Sequence, residues 1–156
     1  MNKTFPVLDE NIAIYIGDAI KNWDGGDQDW FYIHNGWWFI KKDTIWDGAT
    51  IVSDGPEDPK KPGYPITWLA TLIHDLGYMF MLEDDFPYTR KQLDKIFYDF
   101  MEKVNFKYSK LYYKGVRIFG GVWNAIIECY RKTFNMKRQM PSHLSEYERT
   151  EISVYT

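Results

Sequence analysis

Apolar and polar positions change period along the chain. Ile12 to Ile16 is a short apolar run, and Trp30-Phe31-Tyr32-Ile33-His34 and Trp37-Trp38-Phe39-Ile40 are aromatic-rich runs joined by Asn35-Gly36. Short runs of β-branched and aromatic residues read as strands. Asn-Gly between them predicts a hairpin, because both central residues of a type I′ turn need positive φ. Strand alternation sends Trp37 and Phe39 to one face and Trp38 to the other. One face is expected to pack on helices, the other to expose Trp38. Trp30, Trp37, Trp38 and Phe39 are thus candidates for a docking interface as much as for core. Lys21 to Asp29 is a Gly/Asp cluster and reads as turn.

Asp43 to Tyr64 contains three Gly and three Pro. These break a long helix or a central strand, so the stretch reads as a long loop. The period then becomes helical. Pro65 to Leu82 is apolar nearly all round, with Pro65 suited to a first helical turn. Thr89 to Val104 places Leu93, Ile96, Phe97, Phe100, Met101 and Val104 at helical spacing. A third helix is expected from about Tyr108 to Lys132, with a kink or break at Gly115 or Gly120-Gly121, since each glycine costs roughly 1 kcal/mol against Ala. The last residues are polar and read as an arm. The predicted class is α+β, one domain over residues 1–156, with a β-rich aromatic part (1–43), a long loop (44–64), a helical core (65–132) and a polar arm (133–156).

Composition narrows the function classes. Aromatics make up 19% of 156 residues, which suits a ring-built core or a docking surface. The net charge is −3, so nucleic acid is not the default partner. The single cysteine, Cys129, excludes a disulfide within the chain and a multi-cysteine zinc site. The N-terminal stretch does not read as a signal peptide, and no apolar run approaches the ~20 residues of a membrane span.

The sharpest local feature is His74-Asp75 inside an apolar helix. Burying such a pair costs several kcal/mol unless each member is hydrogen-bonded or bound to a metal. Adjacent helical residues diverge by about 100°, so the two face different neighbours, and His74 lines up with Tyr78. A short turn makes the next helix an antiparallel neighbour, and that helix offers Asp94. His74 is thus a candidate base with Asp94 as its orienting carboxylate, while Asp75 is left to hold a cation. The bland alternative is a buried polar network that fixes packing. Asp47, in Asp-Gly-Ala, is either a turn-former or a group brought toward His74 by the loop.

HDLGYMFMLEDDFPYTRKQLDKIF resembles the catalytic helix pair of phospholipase A2-type domains, His-Asp-x-x-Tyr followed by an Asp on the antiparallel helix. The resemblance implies that His74 activates water, Asp75 binds calcium, Asp94 orients His74 and Tyr78 supports Asp94. It departs where that family has a Gly-rich calcium loop; only Pro62-Gly63-Tyr64 stands nearby. A second resemblance spans residues 44–121. Trp46-Asp47-Gly48-Ala49-Thr50-Ile51, Thr67 to Tyr78, Arg90 to Met101 and Val116-Arg117-Ile118-Phe119-Gly120 are similar, in order, to a phage and prophage family catalogued as domain of unknown function 1353. Here Trp46, Val52 and Leu93 replace that pattern's Thr, Pro and Ala. This resemblance implies a bacteriophage origin and no settled activity.

Three functions follow as expectations. The favoured one is a virion-associated structural protein, made in the host cytoplasm and docked to other phage structural proteins in a symmetric assembly through its aromatic hairpin and arms. The alternative is a small calcium-dependent hydrolase acting on the host envelope, with His74 and Asp94 catalytic and Asp75 and Asp47 at the metal. A third is an intracellular accessory binding module.

Overall fold

A computed structural model describes residues 6–17, 25–27, 31–34, 36–46, 48, 55–81, 86, 88–134 and 152–155. Trp30 and Asp47 lie outside the described residues, as does most of the stretch read as a C-terminal arm. The elements are β1 (Asn11–Tyr15), β2 (Gly25–Asp27), β3 (Phe31–His34), β4 (Trp37–Ile40), β5 (Glu57–Asp58), β6 (Lys61–Pro65), α1 (Trp68–Phe80), α2 (Arg90–Lys103), α3 (Ser109–Phe134) and β7 (Ile152–Tyr155). The fold is α+β, and its contacts divide into two compact units.

The first unit holds residues 7–45, 85–87 and 136–156. It contains a sheet in the order β2-β3-β4-β1-β7. β3 and β4 form the hairpin that Asn35-Gly36 predicts, with His34 opposite Trp37 and Gly36 at φ 81°. β1 runs antiparallel to β4, and β7 lies parallel to β1 on its far side. β2 falls inside the Gly/Asp cluster read as a turn. Its three residues join β3 through the backbone ladder, which needs no side-chain pattern.

Alternation divides β4 as expected, but the buried face is the opposite one. Trp38 is 0% exposed, whereas Trp37 and Phe39 are half-buried. The register explains the correction. Trp38 stands opposite Ile14 and Ile33, and Ile40 opposite Ile12 and Phe31, so six large apolar side chains share one face. Trp38 stacks on Phe31 with ring centroids 5.3 Å apart and meets the edge of Phe86 at 6.4 Å. The other face carries Tyr15 beside Trp37 at 5.2 Å and Tyr32 beside Phe39 at 6.2 Å. His34 is half-buried beside Tyr32.

The second unit holds residues 1–6, 46–84 and 88–135. The expected long loop contains the β5–β6 hairpin. This is why α1 starts at Trp68 rather than Pro65: residues 61–65 are already paired as strand. Trp68 Nε1 donates to Asp58 Oδ2 at 3.0 Å, Tyr64 packs on the edge of Trp68 at 5.3 Å, and Lys61 lies over both rings. Trp46 stacks on Tyr64 and donates through Nε1 to Thr71 Oγ1 at 3.0 Å.

α2 is closed at both ends. Thr89 and Gln92 form a capping box. At the other end Asn105 takes φ 54°, Asn105 N–H donates to Glu102 O and Phe106 N–H to Met101 O, both at 2.9 Å. That pattern is a Schellman motif with Asn in the left-handed position. Phe106 and Met101 belong to the core cluster of this unit, with Ala70, Phe97 and Tyr112. α3 is one helix through Gly115 and Gly120-Gly121, where a kink or break was expected. The glycine at 120 serves close packing instead: a Cβ there would stand 2.6 Å from Tyr78 Oη and 3.0 Å from Arg90 Nη1.

Among the described residues, the Trp38 indole N–H is buried without a hydrogen-bond partner. An unmet buried donor costs roughly 1–3 kcal/mol. Trp38→Phe keeps an aromatic ring and deletes that donor, so its urea midpoint should equal or exceed the wild-type value. Trp38→Ala should lose about 3–5 kcal/mol to the cavity it leaves.

Candidate functional site

The site is assembled by the three helices of the second unit. α1 supplies His74, Asp75 and Tyr78, α2 supplies Asp94, and α3 supplies Arg117. Helical spacing of four residues puts His74 and Tyr78 on one face, with ring centroids 4.1 Å apart. Phe97, one turn beyond Asp94, packs against the imidazole at 4.6 Å. Gly77 permits the close crossing of α1 and α2, since a Cβ there would fall 2.5 Å from Leu93 Cδ2.

Asp94 is fully buried and is the hub. His74 Nε2 lies 3.1 Å from Oδ1, the Tyr78 hydroxyl donates to the same oxygen, and Arg117 Nη1 donates to Oδ2 at 2.8 Å. Burial alone would raise the Asp94 carboxyl, but hydrogen bonds from His74, Tyr78 and Arg117 outweigh it and hold the group below its ordinary 3.8. An ionised carboxylate only accepts, so His74 Nε2 must carry a proton. The neutral ring is therefore the Nε2–H tautomer, with its lone pair on Nδ1. Nδ1 lies 3.8 Å from Asp75 Oδ1, an ion-pair distance rather than a hydrogen bond. Burial disfavours the His74 cation, yet Asp75 and Asp94 outweigh burial and raise the imidazole above 6.5. Burial, and then the Asp94 carboxylate, push the Tyr78 phenol well above its ordinary range, so it stays a neutral donor. Asp94 in turn raises the Arg117 guanidinium.

His74, Tyr78 and Asp94 thus come together as the sequence suggests, with Asp75 beside the imidazole. Arg117 was not foreseen in any role. Its one sequence signal is its place in the Val-Arg-Ile-Phe-Gly segment, and nothing in helical periodicity marks a long basic side chain for an inward turn. Arg90 Nη1 donates to Arg117 O at 3.4 Å and adds a second tie between α2 and α3. Trp38 is interior and so shares no surface patch with Trp37 and Phe39, and Trp30 lies outside the described residues.

Comparison of the chain with protein-family models, curated proteins and solved structures gives no match in any of the three. The site is therefore read from its own geometry.

Calcium asks for six to eight oxygen ligands. Among the described residues no three His, Cys, Asp or Glu side chains converge on one point, and Asp47 lies outside them. The described residues alone do not make a calcium shell, so no step below runs through a metal.

The network has a defined pH window. Asp94, held below 3.8, contributes stability above that pH and loses it as pH falls through its folded value. His74, raised above 6.5, contributes stability below that pH and loses it as pH rises through its folded value. Thermal midpoints measured against pH should therefore show the largest gap between wild type and His74→Gln from pH 3.8 to 6.5. The gap should narrow on either side; a constant gap would mean that His74 is not paired with these carboxylates.

Proposed function

We propose that the helical unit carries a general-base site of phospholipase A2 type and that the chain is a small ester hydrolase. The observation that carries this reading is the sharing of Asp94 Oδ1 by His74 Nε2 and the Tyr78 hydroxyl. It is the contact set that the His-Asp-x-x-Tyr resemblance assigns to a positioning carboxylate. In this reading His74 Nδ1 takes a proton from water, and the hydroxide attacks the ester carbonyl. The tetrahedral intermediate collapses by breaking the C–O bond to the alcohol, and His74 returns its proton to the departing oxygen. Asp94 stabilises the imidazolium that forms in between. Tyr78 and Arg117 hold Asp94 and touch no substrate. The reading keeps Asp75 as the carboxylate that the resemblance assigns to calcium, with Asp47 as a second candidate from the loop, and a bacteriophage origin with action on the host envelope.

The test is hydrolysis of a soluble aryl ester and of phospholipid in mixed micelles, with calcium and with chelator, by wild type and His74→Ala. Loss of at least about 100-fold in kcat/KM, with cooperative unfolding retained, is the expected result. The rising limb of the pH profile should lie above pH 6.5. Equal rates for the two proteins would remove His74 from the chemistry.

A second reading, a structural component of the phage particle, is favoured by one observation: Tyr15, Trp37 and Phe39 line a partly exposed face of the sheet. Large aromatic side chains in such a position are typical interface anchors. Here the docking residues are Trp37 and Phe39 rather than Trp38. Quantitative mass spectrometry of density-purified particles decides it: a fixed copy number relative to the major capsid protein is expected, and absence from particles would sink this reading.

A further inference from the structure

α3 has three sectors. Tyr112 and Gly120 are buried toward the rest of the unit. A second sector carries Lys110 and Lys114, both exposed, while Arg117 beside them is turned inward onto Asp94. The third carries Leu111, Ile118, Phe119 and Val122, which are 54%, 70%, 63% and 65% exposed. At about 100° per residue these four fall within one arc of roughly 100°, and Lys110 and Lys114 border that arc on one side. Single exposed apolar residues need no explanation, but four in one arc mark a contact surface.

The charge pattern says what kind of surface covers it. Residues 104–127 contain Lys107, Lys110 and Lys114, besides the Arg117 that is paired with Asp94, and no Asp or Glu, within a chain of net charge −3. A second copy docked through this face would set basic edges against each other. Nucleic acid would leave the branched side chains of Leu111, Ile118 and Val122 without base faces to stack on or base edges to read. An anionic bilayer satisfies both sectors at once. Its interfacial region accepts branched and aromatic side chains, and its headgroups pair with ammonium groups.

We propose that this face of α3 adsorbs the protein to anionic phospholipid surfaces, with Ile118 and Phe119 entering the interface and Lys110 and Lys114 on headgroup phosphates. Adsorption involves no chemistry, so the proposal stands apart from the hydrolase reading and is tested without turnover.

The experiment is sedimentation of the full chain with vesicles of phosphatidylglycerol and phosphatidylcholine, or of phosphatidylcholine alone, at low and high salt. Binding to the anionic vesicles that weakens with salt is expected. Lys110→Gln/Lys114→Gln should reduce partitioning roughly 30-fold, and Ile118→Ser/Phe119→Ser about tenfold or more. All four side chains are exposed, and unfolding curves are recorded in parallel to show that the variants fold. His74→Ala should bind as wild type does, which separates this result from any loss of hydrolysis. Equal binding to both vesicle types, or undiminished binding by the apolar double variant, would overturn the proposal. So would a concentration-dependent dimer that Ile118→Ser/Phe119→Ser abolishes, because a second copy would then be the occupant.

Discussion

The helical unit is organised around one ionised carboxylate with no solvent. A buried charge of this kind is tolerated only when its oxygens are filled by well-placed donors. Asp94 meets that demand with an imidazole and a phenol from α1 and a guanidinium from α3. Each donor fixes a helix relative to α2, so the electrostatic requirement of a single residue sets the arrangement of all three. Several local features answer to it. The two caps of α2 hold the helix that carries Asp94, and Gly77 and Gly120 let its neighbours come close enough for short side chains to reach.

The same bonds serve packing and, in the proposed hydrolase reading, chemistry. A carboxylate that can only accept locks the His74 tautomer, and a locked tautomer is what a general base needs. Arg117 works in the opposite sense. By pairing with Oδ2 it draws negative charge away from the imidazole, which moderates how strongly Asp94 favours the His74 cation. Asp75, on the other ring nitrogen, adds to the same balance by favouring the His74 cation.

What could be read from the sequence depended on range. The Asn35-Gly36 hairpin, the alternation along Trp37–Ile40 and the helical spacing around Leu93, Phe97 and Met101 are local patterns, and each appears in the structure. The meeting of His74 with Asp94 was legible because a short turn forces antiparallel neighbours. Other features needed distant partners. Which face of β4 is buried depends on Ile12, Ile14, Phe31 and Ile33 coming into register. The start of α1 depends on Lys61–Pro65 pairing with Glu57-Asp58, so Pro65, a residue suited to a first helical turn, ends a strand instead. The continuity of α3 depends on Gly120 facing Tyr78, a packing reason that outweighs the glycine's poor helix propensity. β2, Gly25–Asp27, is recruited by its backbone ladder and leaves little mark on side-chain order, whereas the strand-like Ile152–Tyr155 of β7 is obscured by the polar stretch before it.

The parallel pairing of β7 with β1 has a consequence for how the chain is made. Asn11 lies opposite Ile152, about 140 residues later, and β7 is the strand that covers the open side of β1. Until residue 155 has been synthesised, β1 is an edge strand whose Ile12-Ala13-Ile14 backbone stands ready to pair with any extended segment nearby. The growing chain therefore spends most of its synthesis with an unprotected template, and crowding by other nascent copies is most hazardous in that interval.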